Sequence, residues 1–429
     1  MQHRIPKDRL GPRGDAMAEA VGACVHCGFC LPTCPTYRTL GEEMDSPRGR
    51  ITLMKGVLEG DLELEEARPY VDRCLGCLAC VTACPSGVEY GDLLSGFKSH
   101  TESSRERPAL ERGLRSLLIG TVTEPRLLRW AARFAGLGRR FQRVLPAPLA
   151  AALELMPRSL PPSEATPSLL PARGRRRARV ALVRGCAQDV LAPGITPAAA
   201  EVLARRGVEV VIPPGQGCCG ALAFHAGDDR RARAQASQLT GALPEDVDAV
   251  LTTAAGCGSG IKDYPLLFAG DGDAGKARAL AEKAFDVTTF LAQLEPVESR
   301  TSSPVVATYQ DACHLAHAQG ERDAPRRLLG HVEGLELRPS IDWHQCCGSA
   351  GLYNLEQPEI AKQLGRAKAQ VLVDTGAELI ISGNIGCLSQ IKHHLGQLGH
   401  AVPVRHTVEV LNAAERGELG ATAAAPPQP

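Results

Sequence analysis

Aromatic side chains are scarce in this 429-residue chain, at 4% of residues, and only two are tryptophan. An excess of one charge is missing too, since 48 Lys and Arg stand against 48 Asp and Glu. A balanced chain builds no global field for nucleic acid or for an acidic substrate. No stretch of 18 uncharged apolar residues occurs, which argues against a membrane-spanning helix. Met1 to Asp15 carries charges and prolines but no apolar run of the kind a secretory leader needs. No Gly-x-Gly-x-x-Gly follows a strand-like segment, and no other nucleotide-binding fingerprint is found, so neither flavin nor NAD is expected in this chain.

What the chain does have is sixteen cysteines, 44 glycines and 31 prolines. Its length suggests two to four domains, and the glycine and proline content fits loops built around clusters. Cysteines without a leader point to metal or redox chemistry in a reducing cytoplasm.

Eight of the cysteines spell one pattern twice. Cys24-x-x-Cys27-x-x-Cys30-x-x-x-Cys34-Pro35 is followed by Cys74-x-x-Cys77-x-x-Cys80-x-x-x-Cys84-Pro85. This is the bacterial ferredoxin spacing for [4Fe–4S] clusters, in which the fourth cysteine of each run ligates the other cluster. Cys24, Cys27, Cys30 and Cys84 are therefore expected on the first cluster, and Cys74, Cys77, Cys80 and Cys34 on the second. Zinc sites use paired Cys-x-x-Cys or Cys/His sets instead, and disulfides need an oxidising compartment. Between the runs, Ser46 reads as an N-cap, Pro47 as the first helical residue and Gly60 as the stop. That helix predicts an α-helical ferredoxin domain over residues 16–100.

Residues 101–156 read as basic and helical. Arg126, Arg129, Arg133, Arg139, Arg140 and Arg143 meet no acid between Glu124 and Glu154, and Leu127, Leu128, Trp130, Phe134, Leu137, Phe141 and Val144 supply an apolar side. Such a helix suits an anionic membrane surface. Gly136 and Gly138 interrupt the pattern and favour packing on the protein itself or on a partner subunit. Residues 157–179, rich in proline and closing with Arg173, Arg175, Arg176, Arg177 and Arg179, predict an extended linker with a solvated arginine cluster. Residues 413–429 thin into Gly, Ala and Pro and predict a disordered tail.

The other eight cysteines form an internal repeat. Cys186, Cys218-Cys219-Gly220 and Cys257 are matched by Cys313, Cys346-Cys347-Gly348 and Cys387, at a period of about 127 to 130 residues. Arg179–Val183 and Val305–Tyr309 read as strands entering the first cysteine of each copy. Asp248–Thr253 and Glu378–Ser382 read as strands entering the last. With helical stretches at Pro197–Arg206 and Pro358–Val373, the pattern predicts two α/β domains with largely parallel sheets, at residues 180–295 and 304–412. Four thiols per copy, two of them adjacent, make a ligand set rather than a core set. An ordinary cluster, a zinc ion or an empty site all remain open.

The duplicated Cys…Cys-Cys-Gly…Cys pattern resembles the cysteine-rich CCG domains of heterodisulfide reductase and related respiratory subunits. With the double ferredoxin motif in front, the stretches Cys24-Val-His-Cys-Gly-Phe-Cys30, Ser46-Pro-Arg-Gly-Arg-Ile51, Asp72-Arg-Cys-Leu-Gly-Cys77, Cys218-Cys-Gly-Ala-Leu222, Ala255-Gly-Cys-Gly258, Cys346-Cys-Gly-Ser-Ala-Gly-Leu-Tyr-Asn354 and Gly383-Asn-Ile-Gly-Cys387 resemble the iron–sulfur subunit of bacterial glycolate oxidase. The resemblance spans about residues 16 to 412. It implies FAD-containing partner subunits that oxidise the 2-hydroxy acid, electron relay through this chain to a quinone or other respiratory acceptor, and a cytoplasmic place, with the cytoplasmic face of the inner membrane as a further option. The iron–sulfur subunit of a lactate or glycerol-3-phosphate dehydrogenase is a close alternative. A heterodisulfide-reductase-like enzyme is a more distant one, because Cys257-Gly-Ser-Gly260 and Cys387-Leu-Ser-Gln390 lack the closing Cys-x-x-Cys thiol.

Beside the cysteines, His314, His317 and His344 are expected to pack or hydrogen-bond, and His225 and His26 are weaker candidates for any role at the site. Asp311 is expected to orient the Cys313 loop, and Asn354 and Asn384 to sit in turns.

Overall fold

A helix starts at the Ser46-Pro47 step because the Ser46 hydroxyl accepts the Gly49 N–H at 3.0 Å, satisfying an otherwise orphaned donor. The structure is a computed structural model that describes residues 1–102, 104–105, 107–163 and 166–420. In it this helix runs Pro47–Glu59, and Gly60 ends it at φ +78°, where any side chain would strain the backbone. Its buried Ile51, Met54 and Leu58 share an apolar core with Met17, Val21, Leu93 and Phe97 of the helices Gly14–Ala23 and Tyr90–Glu102. The N-terminal domain is helical throughout, and both ferredoxin runs wrap around this core.

Three further helices follow, Ala109–Thr123, Pro125–Gly138 and Ala147–Leu155. Leu118 and Ile119 of the first and Ala151 of the third enter the core of the domain beyond. The middle helix buries only Leu128 and Ala135.

Each cysteine-rich repeat folds as a parallel α/β sheet. The strands are β1 (Leu169–Leu170), β2 (Ala178–Val183), β3 (Val208–Val211), β4 (Ala249–Thr252) and β5 (Ala284–Asp286) in the first. In the second they are β6 (Arg300–Gln310), β7 (Glu333–Arg338), β8 (Leu379–Ser382) and β9 (Val404–His406). The order β3-β2-β4-β5 in the first sheet is repeated as β7-β6-β8-β9 in the second, and every pair in both runs is parallel. Strand direction of connection reverses between β2 and β4, and between β6 and β8. The carboxyl ends of those strands are where open α/β sheets place ligands.

The two repeats share one apolar core, which runs from Val180 and Leu203 to Ile380 and Leu411. The helix Ile195–Arg205 of the first packs on Thr407–Glu415 of the second, while Val287–Leu291 of the first packs on Asp323–Gly330 of the second. The helix before the second matched strand of each copy, β3 or β7, thus meets the last helix of the other, as in a two-fold dimer joined into one chain. Buried Glu415 clamps Arg205 and Arg206 across this interface.

Two segments differ from expectation. The linker 157–179 contributes to the sheet: β1 pairs antiparallel with β3, Leu169 opposite Val211, and Ala178 and Arg179 belong to β2. Four of its five clustered arginines are spent on acids of the first repeat, Arg173 on Glu201, Arg176 and Arg179 on Glu209, and Arg177 on Glu295. The disordered tail cannot begin at 413, because the last helix reaches Glu415 and Leu419 is fully buried, its carbonyl accepting the Ser302 N–H at 2.6 Å. The rest of that expectation, 421–429, lies outside the described residues.

Candidate functional site

The two ferredoxin runs bend their backbones in the same way. His26 and Gly28 have φ of +58° and +84°, and the matching Gly76 and Leu78 have +64° and +60°. Two of these four are not glycine, and non-glycine residues held in that region mark strained, functional backbone. The bends turn amides toward sulfur, as in the Gly76 N–H to Cys74 Sγ contact of 3.4 Å.

Cys24, Cys27, Cys30 and Cys84 line one cavity, together with Cys80, Tyr90 and Ile51. Burial pushes the Cys30 thiol up to about 11. Cys27 is exposed, flanked by exposed Val25 and Phe29. The second group is deeper. Burial drives Cys77 and Cys80 well above the ordinary thiol range, and Cys34 and Cys74 act on both. Thiols so placed ionise only when a cation compensates them, so these donor sets fit iron–sulfur clusters. Among the described residues no three His, Cys, Asp or Glu side chains close tightly enough to hold a single metal ion.

Polar groups converge on the second set. Tyr90 donates its hydroxyl to Cys74 Sγ at 3.6 Å. Arg50, 1% exposed, reaches Cys34 Sγ at 3.8 Å and donates to the Tyr70 carbonyl at 2.7 Å. Its charge is balanced by equally buried Asp45, which also takes two bonds of 2.9 Å from Arg73. Arg50 and Arg73 lie in the Ser46–Ile51 and Asp72–Cys77 runs that carry the family resemblance, whereas Tyr90 and Asp45 have no signal in the sequence.

The repeats present their thiols alike. Gly220 and Gly348 take φ of +82° and +83°, and a Cβ on either would lie 2.7 Å from the carbonyl oxygen of Ala232 or Ala361. The glycine after each Cys-Cys pair is therefore required by close packing as well as by conformation. Hydrogen bonds from Cys218 and Cys257 hold the Cys219 thiol well below its usual range, while Cys218 and Cys257 are pushed up. Cys347 is lowered in the same way by Cys346 and Cys387. Cys186 lies 3.6 Å from Cys218, and Cys313 4.0 Å from Cys346, sulfur to sulfur.

Both sets of four open on one central cavity of about 310 Å³, which Cys74, Gly76 and Lys98 of the ferredoxin domain also line. Leu75, Cys77 and Ala79 share an apolar cluster with Cys346 and Tyr353, and Cys313 packs against it. The second ferredoxin set thus abuts the second repeat.

The histidines hold these units together. Thr82 and His317 Nδ1 are 2.8 Å apart, and His317 Nε2 approaches the His344 carbonyl at 3.4 Å. His317 and His314 lie on a π-helical turn, His314–Ala318, an irregularity common at functional sites. His314 bonds Ser259 of the first repeat at 2.5 Å, and burial pushes it down to about 4. His225 pairs with Asp263 at 3.2 Å and packs at a tilt against the His314 ring, 5.4 Å between centroids. His26 sits in the strained bend described above. Asp311 is gripped by two 2.7 Å bonds from Arg326, two residues before Cys313.

The asparagines differ from expectation. Asn354 lies in the short helix Tyr353–Glu356 and bonds Gln390 at 3.2 Å. Asn384 precedes the helix Ile385–Gln397, donates to Cys387 Sγ at 3.5 Å and accepts from the Gly256 N–H at 3.5 Å. Its place in the Gly383-Asn-Ile-Gly-Cys387 run is the one sequence signal for a role at the site.

The fold and these thiol sets define a dicluster iron–sulfur protein carrying a duplicated cysteine-rich domain. Residues 20–88 match the 4Fe-4S dicluster domain family, and residues 180–262 and 307–392 each match the family described as cysteine-rich domain. The chain is 37% identical over 404 residues to the glycolate oxidase iron-sulfur subunit of Escherichia coli, covering 91% of this chain and 93% of that one. It is 35% identical to the probable glycolate oxidase iron-sulfur subunit of Bacillus subtilis, over 90% of this chain and 92% of that one. The chain belongs to the family of glycolate oxidase iron–sulfur subunits. Lactate utilization protein A of Geobacillus thermodenitrificans is 35% identical over 54% of this chain and 98% of its own.

Proposed function

We propose that this chain is the iron–sulfur electron-transfer subunit of a cytoplasmic glycolate (2-hydroxy acid) oxidase complex, relaying electrons from a flavoprotein subunit to a quinone or other respiratory acceptor. Cys24, Cys27, Cys30 and Cys84 hold one [4Fe–4S] cluster, and Cys74, Cys77, Cys80 and Cys34 the other. Clusters bound there supply one-electron transfer. Cys186, Cys218, Cys219 and Cys257, and Cys313, Cys346, Cys347 and Cys387, are the candidate ligands for a further cluster or metal in the repeats.

Adjacency carries this reading. Exposed Cys27 lies at one surface, Cys77 abuts Cys313 and Cys346, and the central cavity joins both repeats. Tyr90 and Arg50 place donor hydrogens on the sulfurs of the second set, which favours the more negative, reduced state. Relatives named for glycolate align over nearly the whole chain and those named for lactate over about half, which favours glycolate.

The test is the complex purified without oxygen together with its flavoprotein. Glycolate should bleach the cluster absorbance and raise paramagnetic signals, with about eight irons for two cubanes and more if the repeats are filled. Reduction by lactate or glycerol 3-phosphate alone would move the substrate, and reoxidation by a disulfide would replace the reading with a heterodisulfide-reductase-like one.

A further inference from the structure

The helix Pro125–Gly138 and the 3₁₀ turn Arg139–Val144 turn most of their apolar side outward. Leu127, Trp130, Phe134, Leu137 and Phe141 are 50–59% exposed and Val144 is 80% exposed. These six recur at intervals of three and four residues, so they form one stripe. Trp130 and Phe134 stack at 5.8 Å within it. Exposed Arg126, Arg133, Arg140 and Arg143 flank the stripe without an ion pair among the described residues, Arg133 lying over the Trp130 ring at 5.9 Å, and no acid lies between Glu124 and Glu154. A contiguous exposed apolar patch of this kind marks an interaction site.

We propose that this face docks on an anionic lipid surface. Aromatic and aliphatic side chains beside exposed arginines match an interfacial helix in composition and in charge. A helical partner fits less well. The packing on the protein itself that Gly136 and Gly138 favour takes up only Leu128 and Ala135, and a partner would have to supply an acid for each arginine, which an anionic lipid surface offers throughout. The opposite side is fastened to the first repeat, where Arg129 donates to the Asp189 carbonyl at 3.1 Å, three residues beyond Cys186. Docking therefore brings the Cys186 side of the central cavity toward the lipid. Lipid binding itself does not depend on the electron-transfer reading.

The test is sedimentation of the cluster-loaded full chain with vesicles of phosphatidylcholine plus phosphatidylglycerol, and with phosphatidylcholine alone. Binding is expected to the anionic vesicles and to weaken with salt. The triple variant W130S/F134S/F141S should bind at least about tenfold more weakly. R126Q/R133Q/R140Q should lose about as much, and only on anionic vesicles. Both should keep the wild-type cluster absorbance and circular dichroism; if the apolar variant fails to fold, the arginine variant decides. No wild-type binding, or unchanged binding in the variants, overturns the proposal. So does wild-type dimerisation abolished by W130S/F134S/F141S, or protection of this helix from hydrogen exchange by the flavoprotein in the intact complex. Loss of glycolate-driven reduction with vesicle binding intact would instead count against the electron-transfer reading.

Discussion

The hydroxyl of Tyr90 points its hydrogen at Cys74 Sγ from 3.6 Å, and the Tyr90 side chain also lines the cavity of the other ferredoxin set. One phenol therefore bonds one thiol group and borders the cavity of the other. Reduction adds negative charge to the sulfurs and strengthens this bond. Tyr90→Phe should lower the midpoint potential of the second cluster by about 40 mV, the equivalent of about 1 kcal/mol for one electron. Redox titration followed by electron paramagnetic resonance measures it, and an unchanged midpoint would remove Tyr90 from the tuning of that cluster.

Cys77 stands between the ferredoxin domain and the second repeat. Cys77→Ser should abolish glycolate-dependent reduction of the acceptor while leaving reduction of the partner's flavin intact. Stopped-flow absorbance separates the two steps, and acceptor reduction at the wild-type rate would sink the relay.

Gly348 cannot accept a side chain without displacing the Ala361 carbonyl, and its φ of +83° adds strain. Gly348→Ala should cost on the order of 1–3 kcal/mol in denaturant unfolding. Gly220→Ala in the first repeat should cost a similar amount, because Ala232 stands in the same relation to it.

His406 makes the second repeat sensitive to acid. Its Nδ1 accepts the Val408 N–H at 3.2 Å, so its Nε2 carries the proton given to the Thr253 carbonyl at 2.7 Å. Burial lowers it from 6.5 to about 4. The unfolded chain takes up a proton below about 6.5 and the folded chain resists until about 4. Its share of stability, about 3 kcal/mol, is thus complete above pH 6.5 and lost as the pH falls through that window. His406→Asn, which keeps a capping side chain, should flatten the fall of unfolding temperature between pH 6.5 and 4. An identical pH profile would contradict this assignment. Asp286 caps the equivalent helix of the first repeat, and burial raises it to about 6. Its sign is opposite: the folded chain holds a proton that the unfolded one has lost, so its contribution is largest at low pH and declines as the pH rises toward 6.

Much of the fold was legible because cysteine spacing and capping are local. Ser46, Pro47 and Gly60 bound a helix through contacts within a few residues, and Pro358–Val373 was readable end to end. The two-residue strand Leu169–Leu170 and the lone buried Leu419 carry no periodicity of their own, so the pairing of the one and the burial of the other were not readable. Asn384 looked like a turn residue because, although Cys387 is only three residues on, its second partner, the Gly256 N–H, is 128 residues away and comes close only when the two repeats pack.

Sequence alone determined the chemistry: which thiols exist, their grouping into two ferredoxin runs and two matching sets of four, and the duplicated strand–helix order. These follow from covalent spacing, which no packing changes. Tertiary structure alone decided that Cys77 abuts Cys346, that one cavity joins both repeats, that Tyr90 and Arg50 serve the second set, and that an aromatic, arginine-flanked stripe faces outward. Those relations depend on how helices pack within the ferredoxin domain and how the domains pack on one another, which covalent spacing does not set.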